Sequence, residues 1–183
     1  MKPSNALYPA PVVLVTSVDE NGKPNIITLA WAGNICSSPP QVGIAIGPQR
    51  FSNNLIRKIG EFVVNIPSAD ILKETDYCGI VSGKNVDKFK ETKLTPVKAT
   101  RVKPPIIKQC PVSIECRVKN IINIGSHDLF IGETVSVSVD ESVLDQHRNI
   151  DFKKLKGIAW SPLSGEYYSV GEKVGSMGFS LKK

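Results

Sequence analysis

Two stretches past the middle of the chain constrain its fold more than any other feature. Val112 to Ile122 reads VSIECRVKNII, and Leu129 to Val139 reads LFIGETVSVSV. Apolar and polar residues alternate in both, with Val112, Ile114, Cys116 and Val118 sharing one side of the first. A period of two belongs to a strand with one face buried. Gly125-Ser126-His127-Asp128, between them, is turn material. The pair therefore predicts a long antiparallel hairpin. Parallel strands would need a crossover of a dozen residues or more, and none fits there.

The opening of the chain has the same character. Pro11 to Ser17 (PVVLVTS) is a β-branched run, and Pro24 to Trp31 (PNIITLAW) is its return. Between them lies Glu20-Asn21-Gly22-Lys23, whose Asn-Gly pair predicts a type I′ turn with both central residues at positive φ. Ser37-Ser38-Pro39-Pro40 breaks the chain, Gln41 to Ile46 (QVGIAI) is a strand, and Gly47-Pro48 turns it. Glu61 to Ile66, Gly157 to Trp160 and Glu166 to Val170 are further extended pieces. Helical spacing is short wherever it occurs. Ser52 to Lys58 is a helix with Ser52 as N-cap and Gly60 as its stop. Ser68 to Cys78 turns Ile71 and Leu72 inward, Val86 to Glu91 is a helical turn, and Asp151 to Lys156 is a short helix. The fold class expected is mostly β with short helices: a Greek-key-like antiparallel barrel with helical decoration. The pattern is not βαβ, and no GxGxxG follows a strand. With 183 residues, 41% hydrophobic and 22% charged, a single domain spanning 1–183 is expected.

Composition narrows the function. The formal charge is +6, but the lysines are scattered, and the one cluster (Lys153, Lys154, Lys156) reads as a solvated helix face. No basic run is interleaved with stacking aromatics, so nucleic acid is not the expected partner. No charged-then-apolar leader and no run of about 18 apolar residues is present, so a cytoplasmic chain without membrane attachment is expected. Cys36, Cys78, Cys110 and Cys116 form no CxxC and have no histidine at ligand spacing. They read as reduced, buried thiols, with no metal site. There are two histidines, His127 and His147, and no GxSxG, HExxH or P-loop. An enzyme built this way would rely on a bound cofactor for its chemistry.

Four segments have the character of ligand loops. Asn25 to Ser38 contains Ala30-Trp31-Ala32-Gly33-Asn34-Ile35-Cys36-Ser37, small and polar residues around one large aromatic. Small residues let backbone donors and acceptors approach a planar heterocycle; taken alone, the segment also reads as a strand end with a core tryptophan. Pro48-Gln49-Arg50-Phe51-Ser52-Asn53-Asn54 leads into a helix N-terminus and offers a cation, a hydroxyl and free amides, which suits a phosphate. An ordinary capped surface helix has the same pattern. Ser82-Gly83-Lys84-Asn85-Val86-Asp87-Lys88-Phe89 offers two lysines, or simply a solvated turn. Gly125 to Glu133 puts His127 at a hairpin end, where a side chain is available to ligand or to water.

Taken together and in this order, the segments resemble the flavin reductase-like family of FMN-binding split barrels, in the branch of flavoredoxin and the archaeal ferric reductases. The resemblance runs from about Tyr8 to the end. It is carried by PAPVVLVTSVDENGKPNIITLAW, SSPPQVGIAIGPQRFSNNLI, EFVVNIP, SGKNVDKF, GSHDLFIGETVSV and EYYSVGEKVGSMGFSLKK. It implies a split barrel, a homodimer, and non-covalent FMN near the dimer interface. It implies flavin contacts from Asn25, from Trp31 and from the segment Ala30, Ala32, Gly33, Asn34, Cys36 and Ser37. It implies Ser52 and Arg50 at the phosphate, Lys88 at the phosphate or flavin edge, and Trp160 near the ring. His127 is implied by the flavin and nicotinamide, as the catalytic side chain. Where many relatives have Gly-Asp-His, this chain has Gly125-Ser126-His127, with Asp128 adjacent. The implied activity passes electrons from NAD(P)H, by hydride transfer to flavin N5, or from a redox protein, to an acceptor: a ferric complex, free flavin or a protein. An electron carrier without NAD(P)H turnover, a reductase releasing diffusible flavin to a monooxygenase, and a barrel binding another ligand are the competing readings.

Overall fold

The computed structural model describes residues 2–181. After a two-residue strand β1 (Ala10–Pro11), the chain enters the first hairpin, β2 (Val13–Val18) and β3 (Pro24–Leu29). The hairpin is where it is expected, but its turn is wider. Val18 pairs with Pro24, and the Asp19 carboxylate accepts from the N–H groups of Asn21 and Lys23. Only Gly22 takes a positive φ, at 82°. An aspartate able to bond its own turn displaces the type I′ geometry that Asn-Gly alone favours.

Strand β4 (Ala32–Ser37) follows, then β5 (Pro40–Ile46), helix α1 (Phe51–Ile59) and β6 (Glu61–Ile66). The stretch from Ala32 was expected as a loop; in the fold it pairs antiparallel with β5 as an edge strand, with Gly33 to Ser37 exposed. Gly60 ends α1 at φ 74°, its N–H donating to the Ile56 carbonyl. The N-cap is Arg50, not Ser52, and no side chain caps this end. Ser52 lies inside the first turn, which frees its hydroxyl for another partner.

A 3₁₀ turn at Ala69–Ile71 leads into α2 (Leu72–Ile80), and α3 (Lys88–Thr92) is capped by the Asp87 carboxylate. The buried side chains of α2 are Thr75 and Cys78 rather than Leu72. Short strands β7 (Pro96–Val97) and β8 (Ile106–Ile107) pair with each other. The long hairpin is β9 (Val112–Asn123) and β10 (Asp128–Val139). Helix α4 (Phe152–Leu155) precedes β11 (Ile158–Ser161) and β12 (Glu166–Ser169).

Seven strands form one antiparallel sheet in the order β3-β2-β6-β9-β10-β5-β4, and β1, β11 and β12 form a second. This split barrel has a core on each side of β2. Val13 and Val15 face the barrel interior with Ile27, Ile44, Ile56, Phe62, Cys116 and Phe130. Leu14 faces the other way, into a cluster with Ile26, Cys78, Phe89, Ile107 and Cys110. Each fully buried Ile, Leu or Phe contributes about 1.5–3 kcal/mol. Both faces of β2 are therefore apolar, as its sequence PVVLVTS requires.

The second face of β9 is buried too, against its polar alternation. Ser113 Oγ donates to Asn65 Oδ1, and Glu115 accepts from the Thr100 and Arg101 N–H groups and the Thr100 hydroxyl. Asn65 Oδ1 also accepts from the Ile107 N–H. These bonds hold the proline-broken segment 95–108 across the sheet. Burial would raise the Glu115 carboxyl, but these hydrogen bonds outweigh it and hold the group below its ordinary range.

Candidate functional site

Two adjoining cavities lie where β3, α1 and α2 meet. The first, about 150 Å³, is walled by Asn25, Arg50, Ser52, Ser82, Gly83 and Lys88 among others. The second, about 160 Å³, is walled by Ala30, Trp31, Ala45, Gly47, Arg50 and His127 among others. Ile27, Arg50 and Gly79 belong to both walls. Either alone falls short of the ~300 Å³ at which ligand pockets begin, and the shared walls make them neighbours.

In the first cavity, Asn25 Nδ2 donates to Ser52 Oγ at 2.8 Å, leaving the Ser52 hydroxyl hydrogen free to donate inward. Phe51 and Ser52, at the start of α1, have backbone N–H groups without an intrahelical acceptor. Lys88 is 4% exposed, and its Nζ donates to the carbonyls of Ile26 and Cys78, both at 2.7 Å. An ammonium has three donors, so one remains for the cavity. Burial pushes Lys88 down to about 8, Cys78 beside it opposes that fall, and Arg50 adds to it. The Cys78 thiol is pushed up to about 11 by burial, with Lys88 opposing.

The second cavity has two rings in its wall, those of Trp31 and His127. Ala45 N–H donates to the Trp31 carbonyl at 2.8 Å, which fixes the chain between β3 and β4 against β5. His127 is half-buried, and Ser126 Oγ lies 2.9 Å from its Nδ1. The next residue, Asp128, is buried and accepts from Asn53, Asn123 and Arg57, bonds that hold its carboxyl below the ordinary range.

Asn25, Arg50, Ser52 and Lys88 thus share one cavity, and Ala30, Trp31, Arg50 and His127 share the other. Ala32, Gly33, Asn34, Cys36 and Ser37 line neither, because β4 carries them along the sheet edge. Trp160 lines neither as well: it sits in β11, opposite Ala10, with its ring 4.7 Å from that of Tyr167. Cys36 is exposed, against expectation, while Cys78, Cys110 and Cys116 are buried. Gln49, Ser82, Gly83 and Gly79 are wall residues that sequence reasoning did not select individually. The first three lie within segments it did mark; Gly79 lies in a helix and left no signal.

The donor set fits a phosphate-bearing planar ligand. Among the described residues, no carboxylate lines either cavity, while a guanidinium, an ammonium, a hydroxyl and a helix start converge on the first. Gly83 packs closely on Asn25, since a Cβ there would overlap Asn25 Oδ1. A broader cleft of about 630 Å³ beside α2 is walled by Asp70, Asp76, Leu72, Lys73 and Tyr167. Its two carboxylates disfavour an anion. No group of three or more His, Cys, Asp or Glu side chains is placed to hold a metal among the described residues. No helix among them is long and apolar enough to cross a membrane.

The family model described as "Flavin reductase like domain" matches residues 5–156. The chain belongs to the flavin reductase-like family. Flavoredoxin of Desulfovibrio vulgaris (Miyazaki F) superposes with a TM-score of 0.94 at 36% identity, covering 100% of this chain and 98% of the other. Flavoredoxin from Methanosarcina acetivorans gives 0.88 at 30% identity, covering 100% and 98%. An uncharacterised protein of Archaeoglobus fulgidus is 37% identical over 147 residues, 80% of this chain and 82% of its own. The role of this flavin reductase-like chain is therefore a flavin-related redox one, carried on a split barrel.

Proposed function

We propose that the chain binds FMN non-covalently and carries electrons through it from a donor, NAD(P)H, to an acceptor. The observation that carries this reading is the adjoining pair of cavities, cationic at the α1 end with no carboxylate among the described residues of its wall, and aromatic at the other. Arg50, Ser52, Lys88 and the start of α1 would hold the phosphate through charge-assisted contacts. Ala30, Trp31 and the neighbouring backbone would border the ring, with His127 at its edge as the side chain placed to hold or move a proton. Bound there, FMN supplies reversible one- and two-electron chemistry, and the protein supplies position and electrostatics. The exposed residues of β4, together with Trp160, support a homodimer in which a second copy brings them to the site. The acceptor is a ferric complex, free flavin or a protein.

The first test is the visible spectrum before and after adding FMN and desalting. Flavin bands retained at about one per subunit are expected. Absence of both retention and equilibrium binding would overturn the reading. The full-length likeness to two flavoredoxins supports a second reading, an electron carrier without NAD(P)H turnover. Full reduction by dithionite without steady-state oxidation of NADH or NADPH would select the carrier. Sedimentation of flavin-loaded protein as a monomer would remove the shared site.

A further inference from the structure

One carboxylate ties the turn that carries His127 to helix α1. Asp128 Oδ2 accepts from Asn53 Nδ2 and from Arg57 Nη2, both at 2.9 Å, and Oδ1 accepts from Asn123 Nδ2 at 3.1 Å. Asn53 Nδ2 also donates to the Ile46 carbonyl at 3.0 Å. The Asp128 side chain is 7% exposed, whereas that of Arg57 is 48% exposed. Four elements meet around this carboxylate: the end of β9, the start of β10, helix α1 through Asn53 in its first turn and Arg57 in its last, and the end of β5.

The placement of these residues along the chain is informative. Asn53 directly follows Ser52, a wall residue of the first cavity. Asp128 directly follows His127, a wall residue of the second. Asp128, Asn53, Arg57 and Asn123 themselves line neither cavity. The network is therefore a bridge behind the site, joining its anion end to its imidazole end. Burying a carboxylate among two amides and a guanidinium is a poor way to gain stability alone, because desolvation consumes most of the attraction. It is an effective way to fix geometry, because three donors from two different elements converge on its two oxygens.

We infer that Asp128 is a positioning residue that acts through His127, holding the β9–β10 turn against α1 so that the imidazole stays on the cavity wall. This rests on the proposed FMN site for its consequence, but not for its geometry. Asp128 touches no ligand; it sets where His127 stands relative to Ser52 and Arg50.

The test reads the ring NMR signals of His127 in the full chain with labelled histidine, in a His147→Gln background that removes the other ring. Asp128→Ala is expected to move the His127 signals toward those of free histidine before any flavin is added. Asp128→Asn keeps an oxygen that accepts from Asn53 and Arg57, and is expected to hold the signals near their native positions. With FMN as the probe, His127→Ala and Asp128→Ala should each weaken binding roughly three- to tenfold, the range of one lost hydrogen-bonded contact. The double substitution should add no more than about twofold to the larger single effect, as for residues acting as one unit. Native His127 signals in folded Asp128→Ala protein, or fully multiplicative losses of affinity, would overturn the inference. If Asp128→Ala does not fold, Arg57→Ala removes one donor at a half-exposed position and is read in the same way. A wild-type protein that binds no FMN would end the flavin reading, while the ligand-free ring signals would still decide the role of Asp128.

Discussion

Asn25 on β3 and Ser52 on α1 meet in the wall of the first cavity, the amide donating to the hydroxyl at 2.8 Å. Both are buried, at 5% and 2% exposure. The bond keeps the Ser52 hydrogen from pointing at Asn25 and leaves it free for another acceptor. Ser52→Ala removes that hydrogen and leaves Asn25 Nδ2 without its acceptor. The expected outcome is a stability loss of about 1–3 kcal/mol and FMN affinity lower by roughly tenfold, read by thermal unfolding and by fluorescence titration. Unchanged FMN affinity would take Ser52 out of the phosphate site.

Gly83 is required by close approach rather than by φ. A Cβ there would overlap Asn25 Oδ1, so Gly83→Ala must displace either the 82–85 loop or the Asn25 side chain. Displacing Asn25 breaks its bond to Ser52. FMN affinity should fall by at least the factor seen for Ser52→Ala, with the far-UV spectrum unchanged. Native affinity in Gly83→Ala would mean that the loop moves freely and is not part of the wall.

Lys88 gives the site a pH dependence with a definite sign. Its folded value, about 8, lies below the ordinary 10.5. Between those limits the unfolded chain binds more protons than the folded one, so this group adds stability as pH rises through the window. Cys78, raised to about 11, begins to oppose it above its ordinary 9.0. In wild type alone the gain should show between about pH 8 and 9; relative to Lys88→Met, which keeps Cys78, it should run from about pH 8 toward 10.5. Binding runs the other way: a bound phosphate favours charged Lys88, so FMN affinity should fall above pH 8, by at most tenfold per unit. A Lys88→Met protein should lose this slope. A wild-type affinity flat from pH 7 to 9.5 would place Lys88 away from the anion.

Gly132 on β10 sits beside a register shift, and a Cβ added there would lie 2.5 Å from Phe62 Cζ and 3.0 Å from Cys116 Cβ. Phe62 is fully buried, so its ring has nowhere to go. Gly132→Ala is expected to cost about 3 kcal/mol, the upper part of the overpacking range. A melting temperature within a degree of wild type would show that the barrel core yields there.

The antiparallel character of the sheet, the two main hairpins, the bounds of β6 and the Gly60 stop of α1 were legible in the sequence because each is decided within a few residues. Alternation, β-branching and a glycine at positive φ act locally, and the residues that express them lie side by side in the chain. The four segments that supply wall residues to the two cavities were legible too, in order and composition. What only the tertiary structure decided is which of their side chains share a space. Lys88 turns to carbonyls 10 and 62 residues away, and Asn53 meets an aspartate 75 residues away. Such partners are chosen by how the barrel closes and by the demand that every buried donor find an acceptor. The same closure draws residues 32–37 out along an edge strand and buries Glu115 on a polar face, because pairing and packing across the sheet outweigh what any short stretch prefers by itself.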